Sequence, residues 1–218
     1  MTKTGAAAGP AFDDRTESAM DWARANTKPI AIAAIVIALA AATWFFAKQW
    51  RERQADAAEV ALNRARQSYG QGNLPLAQTD LKRVITRFGG SAAGSQASML
   101  LAQAYYEQGK ADSGLKVLND GKPSDTDEAA FEALKGAGLE QKKEYVQAAE
   151  RYRAAAGLAD AKIAKDRFMA DAARALTSAN NKAEAAKIWS ALANDNASTF
   201  AAEARVRLGE LVATPAGR

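Results

Sequence analysis

Residues 101–118 read LAQAYYEQGKADSGLKVL, and this stretch decides the fold. The small residues Ala102 and Gly114 stand twelve positions apart, Gly109 falls between them, and bulky Leu118 follows Gly114 by four positions. Two antiparallel helices pack closely only where both present small side chains at their crossing, and a glycine commonly ends the first helix. The stretch therefore predicts a helical hairpin.

The same spacing recurs three more times along the chain. Each copy has a small anchor residue, a bulky apolar residue four positions later, and another small residue twelve positions earlier. The anchors are Ala77, Gly114, Ala148 and Ala185; the bulky residues are Leu81, Leu118, Tyr152 and Trp189; the earlier small residues are Ala65, Ala102, Gly136 and Ala173. Because one hairpin cannot bury its apolar face alone, such a repeat predicts stacked hairpins. We expect an all-α fold with an α-solenoid of about four hairpins over residues 58–213, followed by a C-terminal tail at 214–218.

Turn residues agree with this register. Gly70-Gln71-Gly72-Asn73 separates the first two helices, and Gly121-Lys122-Pro123 breaks the chain midway. Asp125-x-x-Glu128 resembles a capping arrangement and predicts the start of a helix. Thr199 to Val212 predicts one last amphipathic helix, which has no partner after it and suits a cap on the stack.

An apolar run precedes the repeats. Ile30 to Ala47 contains no charged residue and is interrupted only by Thr43. At about 1.5 Å per residue it is roughly 27 Å long, close to the thickness of a hydrocarbon core. We expect a tail at 1–28, a single transmembrane helix at 29–49 that meets the lipid bilayer through residues 30–47, and a helical linker at 50–57. A buried helix of a soluble domain and a cleaved signal peptide are the alternatives. Basic residues flank both ends, so charge alone does not fix the orientation.

Missing residue types exclude several functions. The chain has no Cys and no His, which excludes Cys or His zinc sites, Ser–His–Asp and Cys–His catalysis, and a lipoprotein anchor. The net charge of +4 comes from basic and acidic residues that are interleaved, which does not favour a nucleic-acid partner. Asp125, Asp127 and Glu128 form the one close acidic group in a predicted loop, and they read better as helix capping than as a glycosidase-like pair. We expect no catalytic residue, cofactor, metal or small-molecule substrate.

In this order of segments, the chain resembles the tetratricopeptide repeat-like family of the ancillary SecYEG translocon subunit, the YfgM type. The resemblance covers about residues 20–213 and is best over Leu74 to Leu118. It rests on Trp22 in the tail, Trp44-Phe45-Phe46 at the end of the apolar run, the charged helix from Lys48 to Ala58, and the helical pairs. It implies a single-pass protein of the bacterial inner membrane with a periplasmic repeat domain. Its implied partners are the translocon, a membrane-bound chaperone or exported polypeptides.

The usual geometry of such repeats places the first helix of each pair on a concave face. The inward-facing residues predicted on that basis are Leu62, Arg66, Tyr69, Met99, Gln103, Tyr106, Glu140, Arg167 and Arg174. Tyr69, Met99 and Tyr106 would form a soft apolar patch for an extended or helical segment of a partner. The alternative is that these are ordinary half-exposed helix residues.

The predicted function is a membrane-anchored protein–protein interaction module, translocon-associated or chaperone-like. A scaffold for another envelope machine, in division or outer-membrane assembly, is the alternative.

Overall fold

A computed structural model describes residue 22 and residues 24–213, and these residues contain nine helices. The chain divides into two compact units, Met1–Arg53 and Gln54–Arg218. The first helix, α1 (Thr27–Gly70), passes through this division and covers both the predicted span at 29–49 and the predicted linker at 50–57. Most of the predicted tail at 1–28 and all of the tail at 214–218 lie outside the described residues, as do the side chains of Ile30, Ala33 and Ala34.

The predicted transmembrane helix is not supported. In the part of the chain that the structure describes, no helix combines the length and the apolar character needed to cross a membrane.

The second unit consists of four helical hairpins and one closing helix, as predicted. The pairs are residues 54–70 of α1 with α2 (Leu74–Phe88), α3 (Ala92–Glu107) with α4 (Ala111–Asp120), α5 (Glu128–Gln141) with α6 (Tyr145–Leu158), and α7 (Lys162–Ser178) with α8 (Lys182–Asn194). The closing helix is α9 (Ala201–Val212), which packs on α8. From α2 to α9, each helix packs against the next one along the chain. Ala58, Leu62 and Ala65 of α1 share a core with Leu81 and Val84 of α2, so the whole unit has the expected arrangement of a solenoid.

The small and bulky residues of the repeat lie where the register predicts. All twelve aligned positions are buried. A Cβ atom placed on Gly114 would lie 2.2 Å from Cε1 of Tyr106, and one on Gly136 would lie 2.8 Å from Cε1 of Tyr152. At these two crossings an aromatic ring fills the space that a side chain would need, so glycine is required there.

The turns inside the four hairpins share one conformation. Gly72, Gly109, Lys143 and Asn180 all have positive φ, at 73°, 70°, 61° and 58°. Each lies five residues before the anchor of its repeat, so the turns repeat with the same spacing as the small residues. Left-handed backbone suits glycine and is tolerated by asparagine, whereas it strains a lysine.

The capping prediction at Asp125 is wrong. The N-cap residue of α5 is Asp127, and its side chain makes no hydrogen bond to the helix. Instead, its Oδ2 accepts hydrogen bonds from Oγ of Ser95 and Oγ of Ser124, both at 2.6 Å. Ser95 is fully buried in α3, and its Oγ also accepts from the backbone N–H of Ser124 at 3.2 Å. The linker at 121–127 is therefore attached to α3. These competing donors explain why the Asp127 side chain does not accept a hydrogen bond from the first turn of α5.

Candidate functional site

A polar cluster joins the first helices of hairpins one and two. The guanidinium of Arg66 donates to the amide oxygen of Gln96 and, at 3.2 Å, to Oδ1 of Asn63. The hydroxyl of Tyr69 donates to the carboxylate of Glu107. Partial burial, followed by this bond to Glu107, raises the pKa of Tyr69 to about 12. The cluster holds α1 and α3 side by side and keeps amide, guanidinium and carboxylate groups at the surface.

A second cluster joins the first helix of hairpin four to its neighbours. Arg174 donates to both carboxylate oxygens of Glu203, at 2.9 and 2.6 Å, and to Oδ1 of Asp171 at 2.5 Å. The hydroxyl of Tyr152 donates to Oε2 of Glu140 at 2.8 Å. Burial raises the pKa of Glu140 and of Asp171, whereas the hydrogen bond from Arg174 lowers the pKa of Glu203. The cluster therefore places charged groups of both signs on α5, α7 and α9, and these groups can donate and accept hydrogen bonds.

The two clusters lie mainly on the first helices of successive hairpins of one 34- to 37-residue repeat, with Tyr152 contributed by α6 and Glu203 by the closing helix α9. A family profile described as Tetratricopeptide repeat-like domain matches residues 56–168, which is more than half of the chain. The chain belongs to the tetratricopeptide repeat-like domain family. No curated protein matches it. The profile covers hairpins one to three and the start of α7, and the fourth tetratricopeptide-like hairpin continues the same buried register at Ala173, Ala185 and Trp189.

Tetratricopeptide-like arrays generally act as surfaces that bind other proteins rather than as catalysts. Seven of the nine residues predicted for such a surface are accessible. Arg66, Gln103 and Arg167 are exposed, and Tyr69, Met99, Glu140 and Arg174 are half-buried. The structure brings Arg66 and Tyr69 together in the first cluster, and Glu140 and Arg174 in the second. Whether these residues bind a partner stays a prediction.

Leu62 and Tyr106 are corrections to that predicted face. Leu62 has no exposed area and packs in the core of the first hairpin, and Tyr106 is only 8% exposed. The Tyr106 ring fills the gap left by the missing side chains of Gly114 and Gly138, so it cannot reach a partner. Without it, the predicted soft patch reduces to Tyr69 and Met99. One helical position turns a side chain by about 100°, which is enough to exchange a surface residue for a core residue.

Sequence reasoning missed five residues that complete the two clusters. They are Asn63, Gln96, Glu107, Asp171 and Glu203. The pairing of Asp171 with Arg174 could have been predicted, because residues three positions apart share one face of a helix. Gln96, Glu107 and Glu203 pair with residues 29 to 38 positions away, and no local pattern reports such pairings.

The alternative of a carboxylate-only enzyme rests on Asp125, Asp127 and Glu128. Asp127 is occupied by Ser95 and Ser124, which is a structural role. The described residues contain no group of three or more acidic side chains placed to hold a metal ion. The geometry of this loop gives no support to acid–base chemistry.

Proposed function

We propose that this chain is a protein-binding module that holds a segment of another polypeptide along the first helices of its hairpins. The observation that carries the proposal is the placement of the two polar clusters, with Arg66 and Tyr69 in one and Glu140 and Arg174 in the other. A segment that runs across several hairpins meets both clusters in turn, which is how solenoids use an extended surface.

Two exposed residues outside the clusters, Gln103 on α3 and Arg167 on α7, add chemistry that suits a polypeptide backbone and mixed side chains. Gln103 is exposed on α3 and offers an amide that can both donate to and accept from a peptide group. Arg167 is 64% exposed and lies 3.9 Å from Asp171, so it is loosely held and can turn toward an acidic residue of a partner. Neither cluster demands one particular sequence, which fits a factor that handles varied polypeptides.

We further propose a place in the bacterial cell envelope, with the repeats in the periplasm and the partners drawn from the translocon, a membrane-bound chaperone or exported polypeptides. The resemblance to the ancillary translocon subunit family supports this context. A membrane anchor at residues 30–47 is part of the proposal. Its support is the apolar surface of α1 in the first unit, where Ile35, Val36, Ile37 and Leu39 are 58–68% exposed on successive faces of the helix. Apolar side chains exposed on all sides of a helix need an apolar surrounding.

Site-specific photo-crosslinking of the full-length chain in cells tests the binding face. A photoreactive residue replaces Gln103 on α3, and the matched control replaces Gln147, which is also exposed but lies on the second helix of hairpin three. We expect adducts with translocon subunits, envelope chaperones or exported chains at position 103 and few at position 147. Equal adducts at both positions would remove the proposed face. Partners from division or outer-membrane assembly would move the protein to another envelope machine.

Protease treatment of spheroplasts and of inverted vesicles tests the location separately. We expect the repeats to be cleaved from the periplasmic side only, and the chain to stay in the pellet after alkaline carbonate extraction. Release by carbonate would contradict the anchor while leaving the binding face standing.

A further inference from the structure

A groove opens at the start of the helical array, between α2 and the part of α1 that belongs to the second unit. Its volume is about 290 Å³, and its floor is apolar. Val84 and Phe88 of α2 close the bottom, and Ala57, Val60 and Ala61 of α1 form the wall. Val60 is 71% exposed, which makes it the most exposed large apolar side chain among the described residues of this unit.

Arginines line the rim of this groove. Arg64 comes from α1, and Arg83 and Arg87 come from α2. The one acid in the lining is Asp80, whose side chain is 12% exposed and pairs with Arg83 at 3.1 Å. Within the described residues, neither Arg64 nor Arg87 forms an ion pair with a carboxylate, and Cζ of Arg87 lies 5.1 Å from the centroid of the Phe88 ring.

The opposite end of the array shows how the open edge of a hairpin is covered. There α9 covers the last hairpin, with Ala204 fully buried and Leu208 and Leu211 packed against the core. Every other hairpin edge in the second unit is covered by the helix that follows it. No helix among the described residues of this unit covers the outer side of the first hairpin. The shape of the groove therefore suits a helix. The arginines at its rim favour a helix that carries acidic side chains beside its apolar stripe.

We propose that this groove binds an amphipathic helix of another protein in which acidic residues flank an apolar stripe. The helix lays its stripe over Val60, Val84 and Phe88, and its carboxylates reach Arg64 and Arg87. This mode of recognition places apolar anchors at intervals of three and four residues. The inference does not depend on the proposed binding face, because it uses the open edge of the first hairpin and none of the residues of the two clusters.

Binding of a synthetic peptide to the full-length chain in detergent micelles tests the inference. The probe is a fluorescein-labelled 20-residue helix with a Leu/Ala stripe flanked by Glu, and its partner probe carries Lys at every Glu position. We expect fluorescence anisotropy to show micromolar binding of the acidic peptide, at least tenfold tighter than the basic one. We also expect binding to weaken as salt is added, because the rim is exposed.

Two charge-reversal variants separate the groove from general attraction. The double variant Arg64→Glu, Arg87→Glu is expected to lower affinity for the acidic peptide at least tenfold. The matched control is Arg205→Glu with Val206→Asp at the far end of the array, where Val206 is 61% exposed, and it should leave affinity within twofold. Circular dichroism melts establish that both variants stay folded.

Four results would overturn the inference. Two of them are equal binding of the acidic and basic peptides and equal loss of affinity in both variants. Another is flotation with phosphatidylcholine–phosphatidylglycerol vesicles that requires Arg64 and Arg87 and is not reduced by the peptide, which would make the rim a lipid-headgroup site. The last is self-association that is lost in the Arg64→Glu, Arg87→Glu variant, which would make the occupant a second copy of this chain.

Discussion

Replacing Gly114 with alanine is expected to destabilise the repeat domain, against the usual trend for helices. In an exposed helix interior, Gly→Ala stabilises by about 1 kcal/mol. At Gly114 the new Cβ would lie 2.2 Å from Cε1, 2.7 Å from Cδ1 and 2.9 Å from Cζ of the Tyr106 ring. The hydroxyl at the far end of the ring lies close to Gly138, 2.4 Å from the position that a Cβ would take there, which limits how far the ring can retreat. Overpacking of this kind costs about 1–3 kcal/mol, so we expect a net loss of about 1 kcal/mol.

Urea denaturation followed by circular dichroism measures this loss. With an m-value of about 2 kcal/mol/M, a loss of about 1 kcal/mol lowers the midpoint by about 0.5 M. The matched control is Gly209→Ala on α9, where no neighbouring atom lies within 4 Å of the added Cβ. It should raise stability by up to about 1 kcal/mol, since only the helix propensity changes.

A second substitution tests whether the Tyr106 ring is the cause. In the Tyr106→Leu background the ring is absent, and Gly114→Ala should then become neutral or stabilising. The double-mutant cycle is expected to give a coupling energy of at least about 1 kcal/mol between the two positions. If Gly114→Ala raises the urea midpoint as Gly209→Ala does, the packing argument for the glycine anchor is refuted.

Three further substitutions probe other features of the array. Tyr106→Phe should stabilise the fold by about 1 kcal/mol in urea titrations, because the Tyr106 hydroxyl is buried without a hydrogen-bond partner among the described residues; a loss of stability would show that the hydroxyl is satisfied. Lys143→Gly should add about 0.5–1 kcal/mol, because φ of Lys143 is 61°, and a shift in the other direction would contradict strain at that turn. Glu203→Gln should cost about 1 kcal/mol at pH 7 after allowance for partial exposure of the pair with Arg174. Because Arg174 lowers the pKa of Glu203 in the folded state, this cost should be present above the ordinary pKa of about 4.3 and vanish as pH falls through the folded value; a cost that persists at low pH would show that packing, not charge, is lost.

The repeat register was predictable because it depends on spacing within single helices and hairpins. The small anchors, the bulky residues four positions later, and glycine at the turns are all local signals, and each one proved to be buried or to adopt the predicted turn. The end of α4 at Asp120 and the start of α9 at Ala201 follow the predicted breaks within two residues. Lys143 shows where such local signals fail. Its backbone is left-handed like that of Gly109, but the position has no glycine from which this conformation could be predicted.

The surface was harder to predict than the core. The choice between Tyr105 and Tyr106 illustrates the difficulty, since both are aromatic, adjacent, and compatible with a helix. The structure buries Tyr106 and leaves Tyr105 half-exposed, with Nζ of Lys82 5.7 Å from its ring centroid. What decides between them is the pair of glycines on other helices, Gly114 and Gly138, whose missing side chains make room for one ring only. This information is absent from the local pattern around the two tyrosines.

The glycines of hairpins two and three also explain why the middle of the array is built differently from its ends. Gly114 and Gly138 admit a large ring into a junction where α4 has only ten residues and a seven-residue linker separates it from α5. The apolar core there is small, consisting of the buried residues Ala102, Tyr106, Leu118 and Phe131. The linker is therefore held by polar contacts from Ser95 and Asp127, which take over part of the role that apolar packing has in the other hairpins. A partner segment that lies along the first helices would cross this junction, so binding there and the packing of Tyr106 should be coupled. The Tyr106→Leu variant, which removes the ring while leaving the exposed residues in place, would expose that coupling as a change in the crosslinking yield at position 103.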